Sequence, residues 1–159
     1  MQVRNMMTSN PACVTPEESA RDAARLMKEH DCGLIPVVES RDSRRLVGVV
    51  TDRDIAVRLV GEGKGADTKV SDVMSRDPSC ASPDTDIGEV ERIMSERQVR
   101  RVPVVDSAGR LEGIVAQADL ALSDNSGVSD REVARTVERI SEPSHSSRGG
   151  SGAEARPRA

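Results

Sequence analysis

The chain has 159 residues, carries a formal net charge of -4 and contains no Phe, Tyr or Trp. This length suits one domain, and the negative charge argues against a general binder of nucleic acid or anionic membranes. Aromatic platforms for stacking single-stranded nucleic acid are also missing. The N-terminus lacks the apolar run of a signal peptide, and no later stretch is apolar enough to span a membrane. We therefore expect a soluble, cytoplasmic protein with no membrane partner and no nucleic-acid partner.

An internal repeat is the most informative feature of the sequence. Many residues of the first half recur 67 positions later, among them Val3 as Val70, Met27 as Met94 and Pro36 as Pro103. Later residues recur 65 positions on, so the first copy carries two extra residues near residues 40–44, as expected of a surface loop. Two copies, each too small to bury its own apolar faces, predict one paired domain with internal pseudo-symmetry and related grooves between the halves.

In chain order, each copy offers a short strand and then an amphipathic helix. The first helix is predicted to begin with Thr15 as N-cap, a proline at the first helical position and Glu18 three residues after the cap. The equivalent helix is predicted to begin at residues 82–84. Met27 and Met94 continue the apolar stripe of each helix, and we expect them in the core rather than against a ligand.

Two β-branched runs follow in each copy and predict hairpin-like strand pairs. The runs are residues 34–38 and 46–50 in the first copy and residues 102–105 and 111–115 in the second. Pro36 and Pro103 lack an amide hydrogen, so each should lie at a strand start or on a sheet edge. A second helix is predicted over residues 52–60, ending at the glycines that follow.

The resulting order of strand, helix, strand, strand and helix predicts an α+β fold built from two βαββα repeats. The predicted boundaries are repeat 1 at 1–60, a linker at 61–69, repeat 2 at 70–123, a C-terminal segment with a short helix at 124–141, and a disordered tail at 142–159. The tail is rich in Ser, Gly, Pro and Arg, and so few apolar groups cannot offset its ordering entropy.

The three cysteines give no metal signature. Cys13, Cys32 and Cys80 have neither a CxxC spacing nor an even count, and with two histidines in the chain we expect no metal site. Buried, small apolar thiols are one interpretation, and a bridge between Cys13 and Cys32 or a redox sensor is the other. The sequence leaves both open.

The doubled unit resembles a pair of cystathionine β-synthase (CBS) domains, also called a Bateman module. The resemblance rests on the strands IPVVE and VPVVD and on the segments GVVTDRD and GIVAQAD, and it covers residues 1–122. It extends to the small stand-alone paired-CBS proteins of bacteria. It implies two CBS repeats packed with pseudo-two-fold symmetry, an adenosine-containing ligand such as AMP, ATP, NAD or S-adenosylmethionine between the repeats, and assembly as a homodimer.

In repeat 1 the resemblance implies a ligand site at the start of the second helix. Thr51 and Asp54 match the family pattern Gly-x-x-Thr/Ser-x-x-Asp, in which the carboxylate accepts from the ribose hydroxyls and the hydroxyl reaches a phosphate. Arg53 is placed to add a charge-assisted bond. The same spacing is that of a capping box, which would serve helix stability alone. Both interpretations stay open.

Repeat 2 departs from this pattern, so the two clefts are expected to differ. Asp119 keeps the ribose-type carboxylate, but Ala116 stands where the hydroxyl should be. Arg100 and Arg101 occupy positions where the family often has basic groups near phosphates. They are equally well explained as charges on a solvated strand edge.

The positions that match the family's contacts to adenine are apolar. They are Val14 and Ile35 with Ala81 and Val102. Such residues are most often plain core residues, so discrimination of adenine is expected to come from backbone groups near Val14.

The sequence contains none of the usual catalytic patterns: no nucleophile elbow, no HExxH, no GxxxxGK[ST] and no metal cluster. We therefore expect a protein that is not an enzyme. The first hypothesis is a regulatory module that senses an adenosyl ligand and acts on an unknown protein target. The alternative is a scaffold for dimerisation or protein interaction that binds no ligand.

Overall fold

The computed structural model describes residues 1–122 and residue 140. Its helices and strands are β1 (Thr8–Ser9), α1 (Ala20–Glu29), β2 (Leu34–Val38), β3 (Leu46–Thr51), α2 (Asp52–Asp54, continued in π-helical geometry over Ile55–Val60), β4 (Ser75–Arg76), α3 (Ile87–Arg97), β5 (Arg101–Val105), β6 (Leu111–Ala116) and α4 (Gln117–Leu122). Short 3-10 turns cover Val3–Asn5 and Val70–Asp72. Apart from Ile140, the predicted C-terminal segment and tail lie outside the described residues. No helix in the described part of the chain is long and apolar enough to cross a bilayer.

Two antiparallel sheets of three strands each form the fold, in the orders β2-β3-β4 and β1-β6-β5. The predicted hairpins are β2 with β3 and β5 with β6. The short first strand of each repeat joins the sheet of the other repeat: Thr8 lies opposite Ile114, and Ser75 lies opposite Val49. The α+β class with two related repeats is confirmed, and the exchange of strands makes each repeat depend on the other.

Both strand prolines lie on sheet edges, as predicted. Pro36 and Pro103 are central residues of β2 and β5, and each of these strands is outermost in its sheet. The missing amide therefore faces no ladder partner. Their carbonyls are used instead: Pro36 accepts from the Val14 amide at 3.0 Å and Pro103 from the Ala81 amide at 3.0 Å.

Helix α1 begins later than the sequence pattern predicts. Its N-cap is Ser19, whose hydroxyl accepts from the Asp22 amide in a complete capping box, so the start predicted at Thr15 is wrong. The backbone before the cap is drawn into a tertiary contact, because the Val70 amide donates to the Glu18 carbonyl at 2.8 Å. A bond to the other repeat replaces the first helical turn that local capping residues favour.

Helix α3 repeats this correction. It begins after Asp86, whose carboxylate accepts from the Gly88 amide at 2.9 Å, so the start predicted at residues 82–84 is wrong as well. The Val3 amide donates to the Thr85 carbonyl at 2.9 Å, which is the counterpart of the bond from Val70. The repetition of these bonds is direct structural evidence of the pseudo-two-fold symmetry.

Two large apolar clusters and a small third one form the core, and each contains residues from both repeats. Val70, Val73 and Met74 complete the repeat 1 cluster, and Val3 completes the repeat 2 cluster. The helix methionines belong to the same cores, Met27 to the first and Met94 to the second, as predicted. Ile140 packs against the second cluster.

Helix α2 spans the predicted residues and ends at Gly61. The Gly61 amide donates to the Ala56 carbonyl at 2.9 Å, and a Cβ at this glycine would lie 2.7 Å from the Val57 carbonyl oxygen. Only glycine fits this close approach without a shift of the backbone. Along the helix, Leu59 is buried while Val57 and Val60 are exposed.

Candidate functional site

A cleft of about 330 Å³ opens between the two repeats. This volume lies within the range of roughly 300–1,000 Å³ that is usual for small-molecule sites. Both repeats line it: repeat 1 supplies Thr8, Ala12 and Ile35 among others, and repeat 2 supplies Arg101, Ile114 and Asp119. Three residues singled out from the sequence, Ile35, Arg101 and Asp119, therefore meet in one concave site. The mixture of apolar walls and a few convergent polar groups is typical of a ligand site.

Asp119 is the acidic group of this cleft. It lies in the first turn of α4, directly after β6, and its Oδ2 accepts from the Ala116 amide at 2.8 Å. Within residues 1–122, no hydrogen bond or ion pair involves its Oδ1. The side chain is partly exposed and lines the cleft. One carboxylate oxygen thus fixes the side chain, while the other can accept from the hydroxyls of a ligand.

Thr8 and Arg101 place a hydroxyl and a cation on the same cleft. Thr8 is exposed on β1, opposite Ile114, and Arg101 is the partly buried first residue of β5. Sequence reasoning missed Thr8, because it belongs to repeat 1 by sequence and to the repeat 2 sheet by pairing. The available signal was the 67-residue spacing, which relates Thr8 to Ser75. Thr8 restores to this cleft a hydroxyl that Ala116 does not supply.

The corresponding residues of repeat 1 form a capping box. The Thr51 hydroxyl accepts from the Asp54 amide at 3.0 Å, and Asp54 Oδ2 accepts from the Thr51 amide at 3.0 Å. The Ser75 hydroxyl lies 3.3 and 3.4 Å from the two oxygens of Asp54, whose residue is 8% exposed. Thr51, Arg53 and Asp54 do not line the cleft that holds Asp119. The capping geometry is thus present, and the contact of these residues with a nucleotide stays a prediction.

Arg58 adds a cation beside the repeat 1 carboxylate. Its Nη1 atom lies 3.8 Å from Asp54 Oδ1 and donates to the carbonyls of Val73 and Met74 at 3.3 and 3.0 Å. The arginine therefore ties α2 to the segment that leads into β4. Both oxygens of Asp54 have partners, whereas Oδ1 of Asp119 has none among residues 1–122.

The other residues expected around the base are core residues or sheet edges. Val14 and Val102 are fully buried, and both main-chain groups of Val14 are used, because its amide donates to Pro36 and its carbonyl accepts from Val38 at 2.8 Å. Ala81 makes the equivalent pair of bonds. The main-chain groups of Val14 are thus engaged within the protein, and discrimination of adenine by backbone groups near Val14 stays a prediction. Arg100 is exposed, and its carbonyl accepts from the Gln117 amide at 2.8 Å.

The cysteines are free thiols, and no bridge joins Cys13 to Cys32. Burial raises the pKa of the Cys80 thiol, which also donates to the Pro78 carbonyl. A raised pKa lowers the thiolate fraction and with it the reactivity toward oxidants. Over the described residues, no group of three or more His, Cys, Asp or Glu side chains is placed to hold a metal ion.

Comparison with known proteins identifies the family. The family model of the CBS domain matches this chain twice, over residues 3–61 and 70–124. The CBS domain-containing protein YhcV of Bacillus subtilis (strain 168) is 41% identical over 127 residues, which cover 80% of this chain and 88% of that protein. Inosine-5'-monophosphate dehydrogenase of Staphylococcus epidermidis is 34% identical over 117 residues, which are 73% of this chain and 23% of the enzyme.

Two solved structures with bound ligands have the same fold. CBSX2 in complex with AMP superposes with a TM-score of 0.66 at 30% identity, covering 76% of this chain and 92% of that one. The CBS domain pair of protein MJ0100, in complex with 5-methylthioadenosine and S-adenosyl-L-methionine, gives a TM-score of 0.68 at 28% identity and covers 76% and 93% of the two chains. The repeat pattern, the paired sheets and these matches agree, and the chain belongs to the CBS domain family.

Proposed function

We propose that this protein is a regulatory module that binds an adenosine-containing ligand in the cleft between its two repeats. The observation that carries the proposal is the open carboxylate oxygen of Asp119 in a cleft that also holds Thr8 and Arg101. A relative's complex with AMP and another's with S-adenosyl-L-methionine support this ligand class. AMP, ATP, NAD and S-adenosylmethionine are the candidates, and the protein acts as a sensor rather than an enzyme.

The cleft suits the three parts of such a ligand. Asp119 Oδ1 can accept charge-assisted bonds from both ribose hydroxyls, and the Arg101 guanidinium can pair with a phosphate or carboxylate. The apolar walls formed by Ala12, Ile35 and Ile114 suit the faces of a purine, since no aromatic side chain exists to stack on it. Thr8 adds a hydroxyl that can donate or accept. Arg100, Thr51, Arg53 and Asp54 stay ligand contacts predicted from the sequence.

Ligand binding can act as a signal because the cleft is lined by both repeats. A ligand that contacts Ile35 from one repeat and Asp119 from the other favours the arrangement in which both sides reach it. Such a ligand shifts the population toward that arrangement by its difference in affinity for the two states. The exchanged strands β1 and β4 couple the repeats and transmit the change.

A second copy of the chain is the partner that we propose for α2. Val57 and Val60 are 54% and 69% exposed, and they lie three residues apart on that helix. Together they form an apolar surface that a homodimer would cover. Glutamate at both positions should convert the dimer into a monomer in light scattering, whereas an unchanged mass would place the interface elsewhere. We further propose that the protein works in the cytoplasm on a protein target.

The alternative function is a scaffold that binds no ligand. It is favoured by the capping box of Thr51 and Asp54, which gives those residues a purely structural role. It predicts that neither carboxylate contributes to binding of any adenosyl compound. The two functions are therefore separated by direct measurement of a ligand.

The first experiment uses the absence of aromatic residues. A near-ultraviolet spectrum of the freshly purified full chain should be almost flat unless a purine has co-purified, and mass spectrometry of the supernatant after denaturation would name it. Titrations with AMP, ATP, NAD and S-adenosylmethionine follow, on the wild type and on the Asp119→Asn variant. Binding that Asp119→Asn weakens supports the proposal. Absence of binding for all four compounds, with no purine released, supports the scaffold.

A further inference from the structure

We propose that Arg58 holds the repeat 1 carboxylate closed, so that each chain takes up a single adenosyl ligand, at Asp119. This inference rests on the proposed function and adds a stoichiometry and a residue that sets it. Two repeats with related carboxylates would otherwise suggest two sites. The difference between them lies in what surrounds each carboxylate.

The two carboxylates are anchored in the same way. Asp54 accepts from the Thr51 amide, and Asp119 accepts from the Ala116 amide, each three residues earlier in the chain. Both residues come directly after the last strand of their repeat's hairpin. The backbone therefore presents Asp54 and Asp119 equivalently, and any difference in ligand access must come from neighbouring side chains.

The neighbours of Asp54 satisfy both of its oxygens. The Ser75 hydroxyl lies within 3.4 Å of either oxygen, and the Arg58 guanidinium lies 3.8 Å from Oδ1. The Asp54 side chain is 10% exposed. A ribose that approached this carboxylate would have to displace the hydroxyl and compete with a cation already present. Internal partners thus occupy the acceptor positions that a ligand needs.

Arg58 is held in place independently of Asp54. It donates to the carbonyls of Val73 and Met74 in the segment before β4, so two main-chain acceptors fix the guanidinium beside the carboxylate. Those acceptors belong to repeat 2 by sequence and are brought here by the strand exchange. Asp119, by contrast, faces the cleft with Thr8 as the hydroxyl equivalent to Ser75. Arg58 therefore distinguishes the closed carboxylate from the open one.

The test is the number of AMP molecules bound per chain, measured by isothermal titration calorimetry on the full-length protein. We expect one for the wild type and two for Arg58→Ala, the second weaker than the first. Lys64→Ala is the matched control, because it removes a positive charge from the segment just after α2 without touching Asp54, and it should bind one. In Arg58→Ala combined with Asp119→Asn, the site opened at Asp54 should keep its affinity for AMP while the site at Asp119 weakens.

Each outcome bears on the inference separately from the proposed function. A stoichiometry of one AMP per chain in both the wild type and Arg58→Ala overturns the closure by Arg58 and leaves ligand binding intact. Two AMP per chain in the wild type does the same. No AMP bound by any variant contradicts both. Binding by Arg58→Ala alone supports the closure but contradicts the site at Asp119. Should circular dichroism show that Arg58→Ala does not fold, Arg58→Gln keeps an amide donor for the two carbonyls, removes the charge and is held to the same expectation.

Discussion

Asp54 and Asp119 occupy equivalent positions in the two repeats, yet their surroundings differ. Asp54 is buried, caps its helix and lies beside Ser75 and Arg58, whereas Asp119 has an oxygen open to a cleft. The two repeats share the order of their strands and helices. Repetition of a motif thus reproduces the placement of a functional group and does not by itself reproduce its accessibility.

The two cores offer the largest contrast to test. Met94→Ala should destabilise the protein by about 2–5 kcal/mol, because a fully buried methionine leaves a cavity as well as losing its transfer free energy. Met27→Ala should cost less, since Met27 is 9% exposed and its site is nearer to solvent. Urea denaturation of both variants measures the difference. A larger loss for Met27→Ala would contradict the burial of the two helices.

The carboxylates themselves should differ in ligand binding. Asp119→Asn is expected to weaken AMP binding by about 10- to 100-fold, since a hydrogen bond to a charged group contributes about 1.5–3 kcal/mol. The fold-change in AMP affinity caused by Asp54→Asn should be at least ten times smaller than the fold-change caused by Asp119→Asn. Titration calorimetry under identical salt conditions compares them. The reverse order would return the main site to Thr51 and Asp54, where the sequence pattern first indicated it.

The helix caps should differ in stability. Thr51→Ala removes the hydroxyl that accepts from the Asp54 amide and should cost about 0.5–2 kcal/mol. Ala116→Thr introduces the same hydroxyl in repeat 2 and should stabilise the protein by about 1 kcal/mol or less. Denaturation midpoints of the two variants provide the measurement. Loss of stability in Ala116→Thr would indicate that the repeat 2 junction does not accept the cap.

The smallest contrast concerns pH. The Ser19 hydroxyl lowers the pKa of Asp22 at the start of α1, and the Gly88 amide lowers the pKa of Asp86 at the start of α3. Each carboxylate therefore contributes stability that is present above the unfolded pKa of about 3.9 and is lost as pH falls through the lower folded value. In the Asp22→Asn and Asp86→Asn variants, the urea midpoint of unfolding should decrease less than in the wild type as the pH is lowered. An unchanged slope in both would contradict these bonds.

The sequence was sufficient for most of the local structure. The hairpin strands, the second helix ending at Gly61 and the edge positions of Pro36 and Pro103 all follow from short-range rules about β-branched runs, glycine and the missing proline amide. The burial of Met27 and Met94 followed from helical spacing. These features depend on residues close together in the chain, where such rules apply.

The exchange between repeats could not be read from the sequence. The hydrogen bond from Val70 to Glu18 accompanies the start of α1 at Ala20 rather than at Thr15. The pairing of Thr8 with Ile114 brings the Thr8 hydroxyl to the cleft that holds Asp119. Both contacts join residues more than 50 positions apart, and local propensity carries no information about them. For the same reason, the sequence pattern indicated a ligand site at Thr51 and Asp54, where the family motif is more complete. In the structure, the cleft between the repeats is lined by Asp119 instead.

The most direct test of this account is a crystal structure of the full-length protein grown with AMP. We predict one AMP per chain, with its ribose hydroxyls on Asp119, its phosphate near Arg101 and Asp54 still paired with Ser75 and Arg58. AMP bound at Asp54 with Arg58 displaced, or AMP at both carboxylates, would contradict the central claim that one of the two related sites is open and the other is closed.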